Sequence, residues 1–288
     1  MVKRMRIAVL SDIHGNHIAL ERCLHEVFLR GIERFIFLGD YLGDFAYPQK
    51  TMRILYDLAE KYNCEFIRGN KEEYWINYRE NGACGWKKQD SITGCMFYNY
   101  HELTEKDFSF YENLPNVKKL EFENLPSITI CHGSPRRTKE KMLPGNEETL
   151  DILESSDTDL ILCGHTHVPD VIVYKGKRAV NPGTVGVALN GEKKAQFLIL
   201  HGENGVWKEE FVSLDYDMET TIQELHESGL YENAPSWCRI TEHLLRSGKG
   251  SHGAVLERAM KLCAEENGSC TWPDVPERFM EKAIEEFL

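Results

Sequence analysis

Seven residues of one chain, Asp12-x-His14, Asp40, Asn70, His132 and His165-x-His167, supply three oxygen donors and four imidazoles. A mixed nitrogen and oxygen set suits the borderline first-row ions Mn, Fe, Co, Ni and Zn, whereas calcium wants oxygen alone. Seven ligands exceed the needs of one tetrahedral zinc and match two ions that share a bridging carboxylate. Two ions about 3.5–4 Å apart can ionise a water near neutral pH and hold both the attacking and the leaving oxygen of a phosphoryl centre. Each fragment alone says little, because an isolated Asp-x-His or Gly-Asp is more often a turn.

What precedes each fragment carries more weight. Short apolar, β-branched runs stop abruptly at these polar clusters six times: Ile7–Leu10 before Ser11-Asp-Ile-His-Gly-Asn16, Phe35–Leu38 before Gly39-Asp40, Phe66-Ile67 before Arg68-Gly-Asn70, Ile128–Ile130 before Cys131-His-Gly133, Leu160–Leu162 before Cys163-Gly-His-Thr-His167, and Ala179-Val180 before Asn181-Pro-Gly183. Between the first three, Ile18, Leu20, Leu24, Val27 and Phe28 share one helical face, as do Met52, Leu55, Leu58 and Ala59. Strand, helix and strand in alternation predict parallel strands covered by helices, with ligands bound at the carboxyl edge. Residues 71–125 read as helical and aromatic-rich, a flank or roof for the cleft, with Thr104-Glu-Lys-Asp107 as a capped helix start. Val171–Tyr174, Ala195–Leu200 and Glu210–Val212 read as antiparallel strands of a second sheet, and the chain after Asp215 turns helical, with stops at Gly229, Pro235, Gly248-Lys-Gly250, Gly268 and Pro273.

The charge narrows the function further. The 288 residues carry 34 basic and 46 acidic side chains, a formal −12. Such a balance argues against a protein that coats nucleic acid or an anionic membrane, since that binding needs clustered Lys and Arg. Residues 215–288 hold 15 acidic against 7 basic residues, so this quarter of the chain carries −8. We therefore divide the sequence into residues 1–214 and an acidic helical extension, 215–288, expected to act as a lid or an oligomer contact. No apolar run approaches the roughly 18–20 residues that cross a bilayer, and Ile7–Leu10 is shorter than a signal-peptide core of about 7–15. The nine cysteines form no CxxC pair and read as reduced thiols in a cytoplasm.

The ordered blocks Asp12-x-His14, Gly39-Asp40, Gly69-Asn70, His132-Gly133 and Gly164-His165-x-His167 resemble the five-block signature of the calcineurin-like metallophosphoesterase superfamily. Ser11–Asn16 and Asn181-Pro-Gly-Thr-Val-Gly186 are similar to its small bacterial and archaeal phosphodiesterase-like branch. The resemblance spans about residues 5–212. It implies an α/β fold, a two-sheet βαβ sandwich flanked by helices in four layers, here with a C-terminal helical extension. It implies Asp12, His14 and His167 on one metal, Asn70, His132 and His165 on the other, and Asp40 bridging. The cofactor expected is a pair of divalent transition-metal ions, manganese first, with iron, nickel, cobalt or zinc as alternatives.

Asp40, Asn70, Lys71 and His132 are then the catalytic candidates, with a metal-bridging hydroxide as nucleophile. Many members carry His after the Gly-Asn block, where this chain has Lys71-Glu72. A lysine offers positive charge to phosphoryl oxygens but is a poor proton donor at neutral pH, which leaves the leaving-group acid open. The block Gly39-Asp-Tyr-Leu-Gly-Asp44 lacks the Asp-Arg pair of the protein phosphatases and of diadenosine tetraphosphate hydrolases of their type. Arg136 and Arg137, after His132-Gly-Ser-Pro135, and Asn16 are the candidate substrate contacts, arginine because it suits bidentate phosphate binding.

The expected partner is a small phosphorylated molecule, with nucleotides in that class, and neither a membrane nor nucleic acid; homo-oligomerisation stays open. The alternatives are a phosphomonoesterase or protein phosphatase of the same superfamily and a non-catalytic scaffold of this fold. A single-strand nuclease would need a basic groove, and the pairs Lys87-Lys88, Lys118-Lys119 and Lys193-Lys194 are dispersed. His17, His25 and His101 read as surface or helix-face residues, and Gly248-Lys-Gly-Ser-His-Gly253 as an interhelical loop, since no strand precedes it.

Overall fold

The computed structural model describes residues 5–288; Met1–Arg4, the basic start of the sequence, lie outside the described residues. The chain begins with strand β1 (Met5–Leu10), helix α1 (His17–Leu29), β2 (Arg34–Phe37), α2 (Pro48–Lys61) and β3 (Asn63–Phe66). These three strands are parallel, β1 to β2 and β2 to β3. Three helices follow, α3 (Asn70–Glu80), α4 (Gly94–Glu102) and α5 (Glu105–Asn113). A hairpin of β4 (Val117–Phe122) and β5 (Leu125–Cys131) leads to α6 (Glu147–Ser155), β6 (Leu160–Leu162), β7 (Asp170–Tyr174) and β8 (Lys177–Asn181). β9 (Ala195–Glu203) and β10 (Val206–Leu214) precede the tail helices α7 (Met218–Glu227), α8 (Leu230–Asn233), α9 (Pro235–Ser247), α10 (His252–Asn267) and α11 (Glu277–Phe287).

Two five-stranded sheets result, in the orders β10-β9-β1-β2-β3 and β4-β5-β6-β8-β7. Alternate residues of a strand point to opposite faces, and this period sorts the core into layers. Ile7, Val9, Ile36 and Leu38 turn inward and meet Ile128, Ile130, Leu160, Leu162 and Val180 of the other sheet. Ala8, Leu10, Phe35 and Phe37 turn outward and are covered by Leu20, Leu24 and Val27 of α1 and Met52 and Leu55 of α2. Ile152 and Leu153 of α6 cover Ile161, Ile172 and Ala179 of the second sheet. Helix, sheet, sheet and helix are the four layers expected of the α/β sandwich. On the predicted helical faces, Phe28 and Ala59 are exposed at the margins.

Three expectations need correction. β9 and β10 belong to the first sheet, not to a second sheet with β7. β9 pairs antiparallel with β1 and is buried on both faces, which explains why Ala195–Leu200 reads as a continuous apolar run. Within the stretch expected to be helical, Val117–Phe122 is a strand; its mostly exposed Lys and Glu residues are those of a sheet edge. The six strand ends also do not share one sheet edge: β1, β2 and β3 lie in one sheet and β5, β6 and β8, parallel to one another, in the other.

The tail packs on the site's own loops. Cys238, Ile240, Leu244, Val255 and Phe279 form one apolar cluster with Phe45, Ala46, Ile92, Cys95 and Val187. His17, read as a surface or helix-face residue, is the first residue of α1; it is buried and its Nε2 sits 2.7 Å from Glu224 of α7, an acceptor shared with Lys50. Among the described residues, no helix is long and apolar enough to cross a membrane.

Candidate metal centre

The loops after the parallel strands are knitted together by backbone hydrogen bonds. Asp12 N donates to Gly39 O, His14 N to Asp40 O, Gly164 N to His132 O and Gly186 N to Asp12 O. Two close approaches depend on glycine. A Cβ on Gly69 would strike the backbone nitrogen and Oδ1 of Asp40, and one on Gly164 would strike Ser11 Oγ and Asp12. Asp12, His14, Asp40, His165 and His167 all hold left-handed backbone angles, with φ between 52° and 68°. Non-glycine residues adopt that region only when the surrounding structure over-determines them, and such strain gathers at functional sites.

The side chains converge in two groups. Asp12, His14 and His167 form one; Asp12, Asp40 and His132 form the other. Asp40 faces both, its Oδ2 3.6 Å from His14 Nε2 and its Oδ1 3.5 Å from His132 Nε2. Asp12 Oδ1 lies 3.3 Å from His167 Nε2, 3.8 Å from His14 Nε2 and 3.9 Å from His132 Nε2. Asn70 Oδ1 is 3.1 Å from His132 Nε2, which adds an oxygen to the second group. His165 is separate: its ring stands 5.2 Å from that of His132, outside both groups, while its backbone N–H donates to Asp12 Oδ2.

The fixed tautomers fit cation binding. His132 Nδ1 donates to Leu38 O at 2.7 Å and His167 Nδ1 to Val187 O at 2.8 Å, so each turns its Nε2 toward the centre. The Nε2 atoms of His14 and His167 are 3.1 Å apart, near the roughly 3.3 Å edge implied by two nitrogens at 2.0–2.1 Å on a tetrahedral zinc. Asp12 is fully buried, and Ser11 Oγ and the His165 N–H satisfy its Oδ2. Among the described residues its Oδ1 has no hydrogen-bond partner. A buried carboxylate oxygen without a donor is costly unless a cation meets it, so the donor set fits divalent metal.

The charges agree. Burial alone would discharge Asp12, but His167 and His132 outweigh it and hold its carboxyl well below the usual range. Burial likewise opposes the charge on Asp40, yet His132 and His14 bring it to about 2. Burial would deprotonate His14, but Asp44, Asp12 and Asp40 raise it to about 10; His132, against the same burial, is raised to about 9 by Asp40 and Asp12. Protons thus sit on two imidazoles where a cation would otherwise balance the carboxylates. His165 is lowered to about 4 by burial and by the His132 charge.

Lys71 lies on the first turn of α3. Its N–H donates to Asp40 Oδ1 at 2.8 Å, and its ammonium is 3.6 Å from Asp44 Oδ1. Burial would lower its pKa, but Asp44 and Asp40 prevail and keep it charged. Asn16, expected at the substrate, is consumed by the fold: Oδ1 accepts from Ala19 N as the cap of α1, and Nδ2 donates to Gly186 O and Tyr216 Oη. Arg136 and Arg137 are exposed; Arg137 pairs with Glu140, and neither contacts the ligand groups among the described residues.

Two site residues escaped the sequence reading. Buried Glu72 accepts from Gly69 N, Asp40 N and Tyr41 N at 2.8–3.0 Å and so fixes the bridging loop. Its place at the third position of α3 is the available signal, since an acid there reaches back to free N-terminal N–H groups. Asp44, 4% exposed, lies 3.1 Å from His14 Nδ1; it stands four residues past Asp40 in the same loop.

Comparison with known proteins agrees with this geometry. Residues 5–205 match the calcineurin-like phosphoesterase superfamily domain. An uncharacterized protein of Methanocaldococcus jannaschii is 27% identical over 256 residues, 82% of this chain and 96% of its own length. The fold is similar to that of a hypothetical protein from Pyrococcus horikoshii (TM-score 0.71, 21% identity, 86% of this chain and 100% of that one). It is also similar to a metallophosphoesterase from Sphaerobacter thermophilus (TM-score 0.67, 23% identity, the same coverage).

Proposed function

The chain belongs to the calcineurin-like phosphoesterase superfamily, and from that premise we propose that it hydrolyses phosphodiester or nucleotide-type phosphate esters with the help of two divalent cations. The observation that carries this reading is Asp40, whose two oxygens face His14 and His132 from between two groups that also share the unpartnered oxygen of Asp12. His14, His167 and Asp12 would hold one cation; His132, Asn70 and Asp12 the other; Asp40 would touch both. When bound, the cations activate water and neutralise phosphoryl oxygens.

The protein's own residues do the rest. Asn70 and Lys71, at the N-terminus of α3, offer an amide and a fixed positive charge to a phosphoryl group. Because Lys71 stays charged, it serves as an anion contact rather than as the leaving-group acid. His165, neutral beside His132, is a free imidazole at the same edge. The acidic tail packed on the site's loops favours a small phosphorylated substrate over a long polyanion.

A screen of p-nitrophenyl phosphate, its bis ester and a nucleotide panel, each with Mn, Ni and Fe, tests the reading. It expects metal-dependent turnover that Asp40→Asn abolishes. The relative rates on mono- and diesters decide the substrate class. No hydrolysis with any metal, or wild-type turnover by Asp40→Asn, would overturn it.

A further inference from the structure

The tail reaches the metal centre through one carboxylate. Asp44 Oδ2 lies 3.1 Å from His14 Nδ1, at ion-pair distance but off the hydrogen-bond axis. The other oxygen, Oδ1, accepts from Trp237 Nε1 of α9 at 3.0 Å and lies 3.6 Å from Lys71 Nζ. An indole N–H only donates and a carboxylate only accepts, so the chain from tail to centre has a single polarity. Asp44 is the carboxylate that faces the Nδ1 side of His14, and a proton held on that side leaves Nε2 as a lone pair for a cation.

Trp237 is itself fixed. Its ring stacks on His252 of α10 at 4.4 Å and 25°. Thr241 Oγ1 lies 3.0 Å from Trp237 O and 2.8 Å from His252 Nε2, which ties α9 to α10 at this point. Below, Cys238 and Ile240 of α9 share an apolar cluster with Phe45 and Ala46, the two residues after Asp44. Gly43, before it, gives its carbonyl to Asn99 Nδ2 at 2.9 Å.

We propose that the C-terminal helices are part of the metal centre: Trp237, through Asp44, orients His14 and anchors Lys71, so the tail sets how tightly the group of Asp12, His14 and His167 holds a divalent cation. Asp44 and Trp237 lie outside both ligand groups and are positioning residues that act through His14 and Lys71. The inference rests on the reading that these groups bind divalent metal, and its test separates the two.

The test is titration of metal-free protein with Co²⁺, following visible absorption, beside thermal melting of the metal-free form. Trp237→Phe keeps a stacking ring and removes the N–H; Asp44→Asn keeps the shape and removes the charge. Losing one buried hydrogen bond behind the ligand should weaken Co²⁺ about threefold to tenfold in Trp237→Phe. Losing the carboxylate itself should weaken it about tenfold to a hundredfold in Asp44→Asn. Asp44→Asn also removes the carboxylate beside His14 and Lys71, so metal-free melting should fall somewhat there and less in Trp237→Phe, with both variants still folded at the titration temperature. Wild-type affinity in both variants would overturn the inference, as would weakening that merely follows loss of metal-free structure in both. If the wild-type protein takes up no Co²⁺, the metal reading itself fails instead.

Discussion

Metal uptake should be a proton exchange. Without a cation, the carboxylates of Asp12, Asp40 and Asp44 hold His14 at about 10 and His132 at about 9, so both imidazoles are protonated at pH 7. The two belong to different ligand groups, and each must surrender its Nε2 proton to bind. Every ion therefore displaces at least one proton, and its apparent affinity should rise about tenfold per pH unit between pH 6 and 8. His165, already neutral there, adds nothing to this slope. Calorimetric titration with Mn²⁺ in buffers of different ionisation enthalpy counts the protons directly. The same groups reverse the sign for the metal-free fold. A histidine whose pKa is raised by folding stabilises fully below its unfolded value near 6.5 and loses that contribution as pH climbs through 9 and 10. Metal-free protein should thus melt at lower temperature at pH 9.5 than at pH 7, while binding tightens. Release of fewer than half a proton per ion, or affinity flat from pH 6 to 8, would refute the electrostatic account.

Two substitutions probe the scaffold. Asn16→Ala removes the cap of α1 and the bond to Gly186 O and should cost about 1–3 kcal/mol in urea unfolding, with KM unchanged within twofold. A large rise in KM would restore Asn16 to the substrate. Gly69→Ala drives a Cβ into the Asp40 backbone, which is not a flexible side-chain end, and should cost about 3 kcal/mol or more while sharply reducing metal content. A stable, metal-replete Gly69→Ala protein would show that the close approach at Asp40 is dispensable.

Much of this was legible from residues alone because strand ends leave a local signature. An apolar run that stops at Ser11-Asp12 or Gly39-Asp40 announces both a strand and what it delivers. The partition of strands into two sheets left no such mark: β9 is apolar on both faces whether it flanks β1 or β7, and only its pairing with β1 decides. Asn16 could be read two ways, because one residue type both caps helices and binds ligands, and the structure shows it in the capping use. Glu72 had a positional signal at the start of α3. Trp237 and His252 had none, since their effect on His14 passes through Asp44 and depends on how α9 and α10 fold back over residues 43–46.

The central claim is that two divalent ions sit across Asp40. Metal content of the purified chain, measured by mass spectrometry after reconstitution with Mn²⁺ and removal of excess, tests it most directly. Two ions per wild-type chain, and one or none in Asp40→Asn with turnover abolished, is the predicted result. A wild-type chain that retains no transition metal, or an Asp40→Asn chain that keeps both ions and full activity, would contradict it.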